Sequence, residues 1–191
     1  MNEFINFIQN NYNQALTLKE KFCQLEKKKW DSLTVTLELM VQLGHTFNVL
    51  NKNILINENG RSINDLGDEL SDMLLQLSYL SFLENINLTN LEKYNEYDYN
   101  NLNGLPILLG QLTEALLEDK EYRFTKKRVG FAGTKDFIKD RIIKMFLIIF
   151  HFASKNNINI NNSFNNMVVD ATKFIESKVS NGNNWYFWSK S

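Results

Sequence analysis

One proline and eight glycines are all the strong backbone breakers in 191 residues. Such sparse punctuation argues against a fold of many short strands joined by tight turns and favours long helices. Apolar residues recur at intervals of three and four through most of the chain, the period of a helix buried along one side.

That spacing predicts a helix over 3–29, with Phe4, Ile5, Ile8, Leu18, Phe22 and Leu25 on its apolar side; Asn10 to Asn13 are where it would break. A second helix is expected over 33–50, capped by Asp31 or Ser32, with Leu33, Leu37, Met40, Leu43, Phe47 and Leu50 facing inward. After a loop over 51–60, Ser62-Ile63-Asn64-Asp65 has the form of a capping box. The helix behind it, 63–84, should bury Leu66, Leu70, Met73, Leu74, Leu77, Leu80 and Phe82.

Residues 92–104, rich in tyrosine and asparagine, read as a connector, and Pro106 suits the first turn of a helix ending near Asp119. A basic loop, 123–133, leads to Thr134 as the cap of a helix over 135–154. That helix is apolar almost all round from Ile142 to Phe152, which predicts a central position. A last helix runs from Asn161–Ser163 to about Val179, and Trp185-Tyr186-Phe187-Trp188 is aromatic enough to expect docking on the body or on a partner subunit.

The two halves echo each other. Gln42-Leu43 returns as Gln111-Leu112, and Glu69-Leu70-Ser71-Asp72-Met73-Leu74 as Phe137-Ile138-Lys139-Asp140-Arg141-Ile142. The endings Asn85-Ile86-Asn87-Leu88 and Asn157-Ile158-Asn159-Ile160 also match. Short echoes of this kind also arise by chance. The expectation is a single all-α domain over 1–191, with a motif-bearing half at 1–90 and a degenerate half at 105–180. Its four-helix core would comprise two pseudo-repeated helical hairpins, flanked by extra N- and C-terminal helices.

A hydrophobic fraction of 43% and a charged fraction of 23% are those of an ordinary globular domain with a real core. A net charge of −1 offers no general attraction to nucleic acid or to an anionic membrane, so neither is expected as a partner. Cys23 is the lone cysteine, which excludes an internal disulfide and a thiolate metal set and points to a small core residue. Met1-Asn2-Glu3-Phe4 has no secretory pattern, and the longest apolar stretch, Met145 to Phe150, is too short to span a bilayer. A cytoplasmic location is the expectation that remains.

Glu69 and Asp72 lie one helical turn apart at the head of an apolar helix, and Glu38 and Gln42 one turn apart on the helix before it. A few such oxygens facing one another suffice for a hard cation such as Mg²⁺, which keeps several of its waters. His45 shares the helix face of Glu38 and Gln42, where it could touch substrate or merely bond a neighbour at the core edge. His151, inside an apolar helix, reads as a satisfied core residue. Lys126, Lys127 and Arg128 could clamp phosphoryl charge or form a solvated face. Trp30, Phe47 and Tyr79 are candidate aromatic platforms.

The stretch from Trp30 to Leu80 resembles the MazG-like family of all-α nucleotide pyrophosphatases, which includes the dimeric dUTPases and dCTPases. The family's signature is EExxE on one helix and ExxD on the next. Glu69-Leu70-Ser71-Asp72 matches ExxD in full, within the family-like run Asp68 to Leu74. Glu38-Leu39-Met40-Val41-Gln42 stands in for EExxE, with Glu38 matching and Leu39 and Gln42 replacing acids. Lys29-Trp30-Asp31 is similar to the approach to the first motif.

The resemblance implies a homodimer in which Glu38, Glu69 and Asp72 hold Mg²⁺ and Glu38 takes a proton from the attacking water. It implies cleavage of a nucleoside triphosphate between its α- and β-phosphates. Gln42, His45, Trp30, Lys126, Lys127 and Arg128 are the candidates for touching that substrate. In the second half Ile107, Leu108, Gln111 and Phe137 replace the acids and only Asp140 is kept, so that half reads as structural. Fewer acids mean weaker metal binding. The alternative is therefore a catalytically inactive relative serving as a binding or scaffold module. A DNA-binding regulator is disfavoured by the lack of a basic recognition helix.

Overall fold

Six helices make up the regular structure of the described residues, which in this computed structural model are 2–26, 28–51, 66–88, 102–122 and 134–180. They are α1 (Asn2–Cys23), α2 (Ser32–Leu50), α3 (Leu66–Leu83), α4 (Gly104–Asp119), α5 (Thr134–Lys155) and α6 (Ile160–Ser180). Among the described residues there is no strand, and the fold is all-α, as the period of the apolar residues predicts. No helix among them is long and apolar enough to cross a membrane.

Local chemistry sets the helix ends. Asp31 caps α2, its carboxylate accepting from the Thr34 N–H and the Thr34 hydroxyl, each at 2.8 Å. Helices α3, α4 and α5 share one kind of stop. Asn85, Glu121 and Asn157 take left-handed backbone angles, with φ of 54°, 61° and 56°. The next amide in each case turns back to the carbonyl five residues earlier: Ile86 to Ser81, Tyr122 to Leu117 and Ile158 to Ala153. This is the Schellman closure, which satisfies carbonyls the helix itself leaves open. The echoed endings at Asn85-Ile86 and Asn157-Ile158 are thus the same helix stop.

Helix α2 packs along α3 and α4 along α5; α2 also meets α4, and α3 meets α5. Helix α1 lies against α3, α5 and α6, and α6 against α3. One contiguous apolar core draws on all six helices. Helices α2 and α3 run antiparallel, because Thr46 near the end of α2 meets Met73 while Ser32 at its start bonds Glu84 beyond the end of α3.

Helix α3, rather than α5, is the most enclosed: every residue from Leu66 to Ser81 is buried except Asp68 and Asp72. The reason is that α1, α2, α5 and α6 all close on it. Its serines make this possible, since Ser71, Ser78 and Ser81 return their hydroxyls to carbonyls four residues back at 2.6–2.8 Å. Gly67 serves the same close packing, for a Cβ there would collide with Ser163 of α6.

The structure corrects several expectations. Helix α1 runs unbroken through Asn10 to Asn13 and ends at Cys23, not at 29. Asn11 is buried and donates to Asn161 of α6 at 2.9 Å, so its side chain does not compete with its own backbone. On α2 the buried face is Val35, Leu39, Leu43 and Val49 with Ser32, Thr36 and Thr46. The predicted inward residues Leu37 and Met40 are instead 60% and 52% exposed, because α2 is apolar on two sides and its period cannot choose between them. Phe82 and His151 are exposed as well, and Cys23 is only partly buried. Ser62–Asp65, the basic loop 123–133, most of the connector 92–104 and the aromatic segment 185–188 lie outside the described residues.

Candidate functional site

At 100° per residue, Glu69, Asp72 and Gln76 fall within an arc of roughly 60° on α3, and Glu38, Gln42 and His45 within a similar arc on α2. On α2 these three line the margin between the buried side, with Val35, Leu39 and Thr46, and the exposed side, with Leu37 and Val41. Between the two arcs runs a polar seam along an otherwise apolar helix pair.

Two contacts set the register across the seam. His45 Nδ1 lies 3.6 Å from Glu69 Oε2, an ion-pair distance when the ring is protonated and too long for a hydrogen bond. The Thr46 hydroxyl donates to Met73 Sδ, also at 3.6 Å. Gln42, one turn before Thr46, therefore sits level with the Asp72–Gln76 turn, and Glu38 a further turn along, level with Ser78 and Tyr79.

Glu69 is almost wholly buried, at 3% exposure, whereas the His45 side chain is half exposed. Gln42 Nε2 donates to Glu38 Oε1 at 2.8 Å. A carboxylate only accepts, so this bond fixes which end of the Gln42 amide is nitrogen. The other end, Gln42 Oε1, is a buried oxygen with no hydrogen-bond partner. Gln76 Oε1 is in the same condition.

The antiparallel register keeps the three expected acids from meeting at one point. Glu38 is seven residues, or about 10 Å of helix rise, from His45, the residue that meets Glu69. Among the described residues no three of His, Cys, Asp and Glu stand together as a metal-holding group. What α2 presents to Glu69 and Asp72 is Gln42 and His45, three residues apart as the two acids are.

Trp30 stands off this seam. Lys19 Nζ lies 3.2 Å from the centroid of its ring, and the same ammonium pairs with Glu26 at 2.8 Å and sits 5.5 Å from the Tyr79 ring. Lys19 is 2% exposed, so one face of Trp30 is already taken by a buried cation. Tyr79 and Cys23 approach to 4.0 Å between Oη and Sγ. Burial pushes the Tyr79 hydroxyl up to about 12 and the Cys23 thiol upward, so both are neutral at pH 7. Lys126, Lys127 and Arg128 lie outside the described residues. In the second half Asp140 pairs with Arg141 at 3.2 Å and Lys144 at 2.9 Å, an ion-pair cluster that suits a structural role.

Sequence reasoning missed Lys19 and Gln76. Lys19 gave no signal, since a lysine in an amphipathic helix ordinarily faces water. Gln76 did give one: it is a polar residue inside the run Met73 to Leu80, seven residues after Glu69.

No family model matches this chain, and no match was found among curated proteins or solved structures.

Proposed function

We propose that this chain is a MazG-like, Mg²⁺-dependent nucleoside triphosphate pyrophosphatase with a reduced metal site. The observation that carries the reading is a buried, unpartnered oxygen on Gln42, a residue that the register of α2 against α3 brings level with the acidic head of α3. The donor set suits the ion. Mg²⁺ is ordinarily held through one or two carboxylates together with substrate phosphates, not in a full protein cage. An amide oxygen that lacks a hydrogen bond supports a third ligand.

In this reading Glu69 and Asp72 hold the ion and Gln42 Oε1 completes the protein's share. Glu38 is no longer a metal ligand or the base; it orients the Gln42 amide from the far side. When bound, Mg²⁺ supplies charge stabilisation at the phosphates and a more acidic water. His45, half exposed to water and 3.6 Å from Glu69, is the group placed to accept the proton. Lys126, Lys127 and Arg128 remain the candidates for neutralising the leaving pyrophosphate.

A homodimer in the cytoplasm belongs to the same proposal. Leu37, Met40 and Val41 expose an uncharged apolar strip along α2, at 60%, 52% and 48%. Gly44 on the same helix has nothing within 4 Å of where a Cβ would stand. Such a strip is the kind of surface a partner covers.

The test is pyrophosphate release from a panel of ribo- and deoxynucleoside triphosphates with Mg²⁺. Turnover of at least one is expected, and Glu69→Gln and Asp72→Asn should each abolish it. Absence of release from every nucleotide would sink the reading. A second reading, a non-catalytic binding module, is favoured by the neutral Gln42 and the His45 that occupy the α2 positions facing the acids. It predicts stabilisation by nucleotide without turnover.

A further inference from the structure

Gln76 is 6% exposed, lies in the middle of the most enclosed helix, and its buried amide oxygen has no hydrogen-bond partner. Burying an amide without a partner is costly, and the residues around it on α3 (Met73, Leu74, Leu75, Leu77 and Leu80) show what the position would hold if packing alone decided it. Proteins keep such local contradictions where a ligand resolves them.

The position indicates which ligand. Along one side of α3 stand Glu69 and Asp72, then Gln76 a turn on. Charge and amide follow one another over about 10 Å of helix. That order suits a molecule with a cation-bound anionic head and a planar heterocyclic end. A glutamine amide offers one N–H donor and one acceptor side by side, and pairs with a base edge that presents the complementary pattern.

We infer that Gln76 reads the heterocycle of a nucleotide whose phosphates are received at Glu69 and Asp72. This deepens the pyrophosphatase reading and rests on it. Gln76 sets preference for nucleotides over bare polyphosphates and takes no part in the bond-breaking step.

The experiment measures binding by calorimetry and melting by fluorimetry on the full chain with Mg²⁺. The probes are a set of nucleoside triphosphates and inorganic tripolyphosphate, which carries the head alone. Wild type should bind nucleotides more tightly than tripolyphosphate. Gln76→Met should leave tripolyphosphate binding within about twofold of wild type while weakening the preferred nucleotide about ten- to a hundredfold. The ligand-free variant should melt about 3 °C higher, because a buried amide oxygen without a partner has been replaced by an apolar chain. Gln76→Leu should behave alike.

If both variants melt lower without ligand, Gln76 is a packing residue and the inference is overturned. Equal nucleotide affinity in wild type and Gln76→Met also overturns it, while leaving the pyrophosphatase reading in place. If wild type binds neither nucleotide nor tripolyphosphate, both readings fall together.

Discussion

His45 on α2 stands opposite Glu69 on α3, with 3.6 Å between Nδ1 and Oε2. This pair sets the register of α2 against α3, which brings Gln42, one turn before His45, level with Asp72. Metal affinity should follow from that register. Gln42→Glu adds a charge beside Asp72 and should tighten Mg²⁺ binding about tenfold in the presence of saturating nucleotide, since affinity in hard-cation sites rises with ligand charge. Calorimetric titration reads this directly. An unchanged affinity would remove Gln42 from the site.

Asp31 should give α2 an acid-sensitive start. The Thr34 N–H first, and the Thr34 hydroxyl second, hold its carboxylate below the usual range. A folded value below the unfolded one means the contribution is present above the unfolded pKa of about 3.9 and is lost as pH falls from there through the folded value. Asp31→Ala should cost about 1 kcal/mol at neutral pH. Asp31→Asn keeps the cap and should flatten the stability profile below about pH 4. Urea melts between pH 3 and 7 decide it, and an unaltered acid limb in Asp31→Asn would count against the cap.

Glu121 closes α4 with φ of 61°, a conformation that costs a residue with a Cβ about 1 kcal/mol or more. Glu121→Gly should therefore stabilise the protein by up to about 1 kcal/mol, or about 2–4 °C in melting temperature. The corresponding change at Asn85 should gain less, because asparagine already tolerates the left-handed region. A drop in melting temperature for Glu121→Gly would mean that its side chain does more than end the helix.

The apolar strip on α2 predicts an oligomer. The double variant Leu37→Glu, Val41→Glu places two charges on that strip without touching the buried face. It should convert a dimer to a monomer in sedimentation equilibrium while leaving the helical circular dichroism unchanged. Wild type sedimenting as a monomer would end the proposal.

How much was legible in advance differs along the chain. Helix existence and approximate span could be read wherever an apolar period ran between signals such as Asp31 and Pro106. The ExxD pair could be read too, because its spacing is local to one turn. Apolar residues on both sides of α2 allow two rotations, and only packing against α3 chose the one that leaves Leu37 and Met40 exposed. Gln76 and Lys19 show a related limit: their burial depends on helices far away in sequence closing over them.

From the chain alone came an all-helical body, its main helices and the placing of two acids on one turn. These follow from interactions within a few residues, which repeat with the period of the helix. The tertiary structure decided which side of α2 turns inward, which residue meets Glu69, and which amides are left without partners. Those outcomes depend on the antiparallel register of α2 against α3 and on the enclosure of α3 by α1, α5 and α6. No local spacing encodes the offset between two helices that pack side by side.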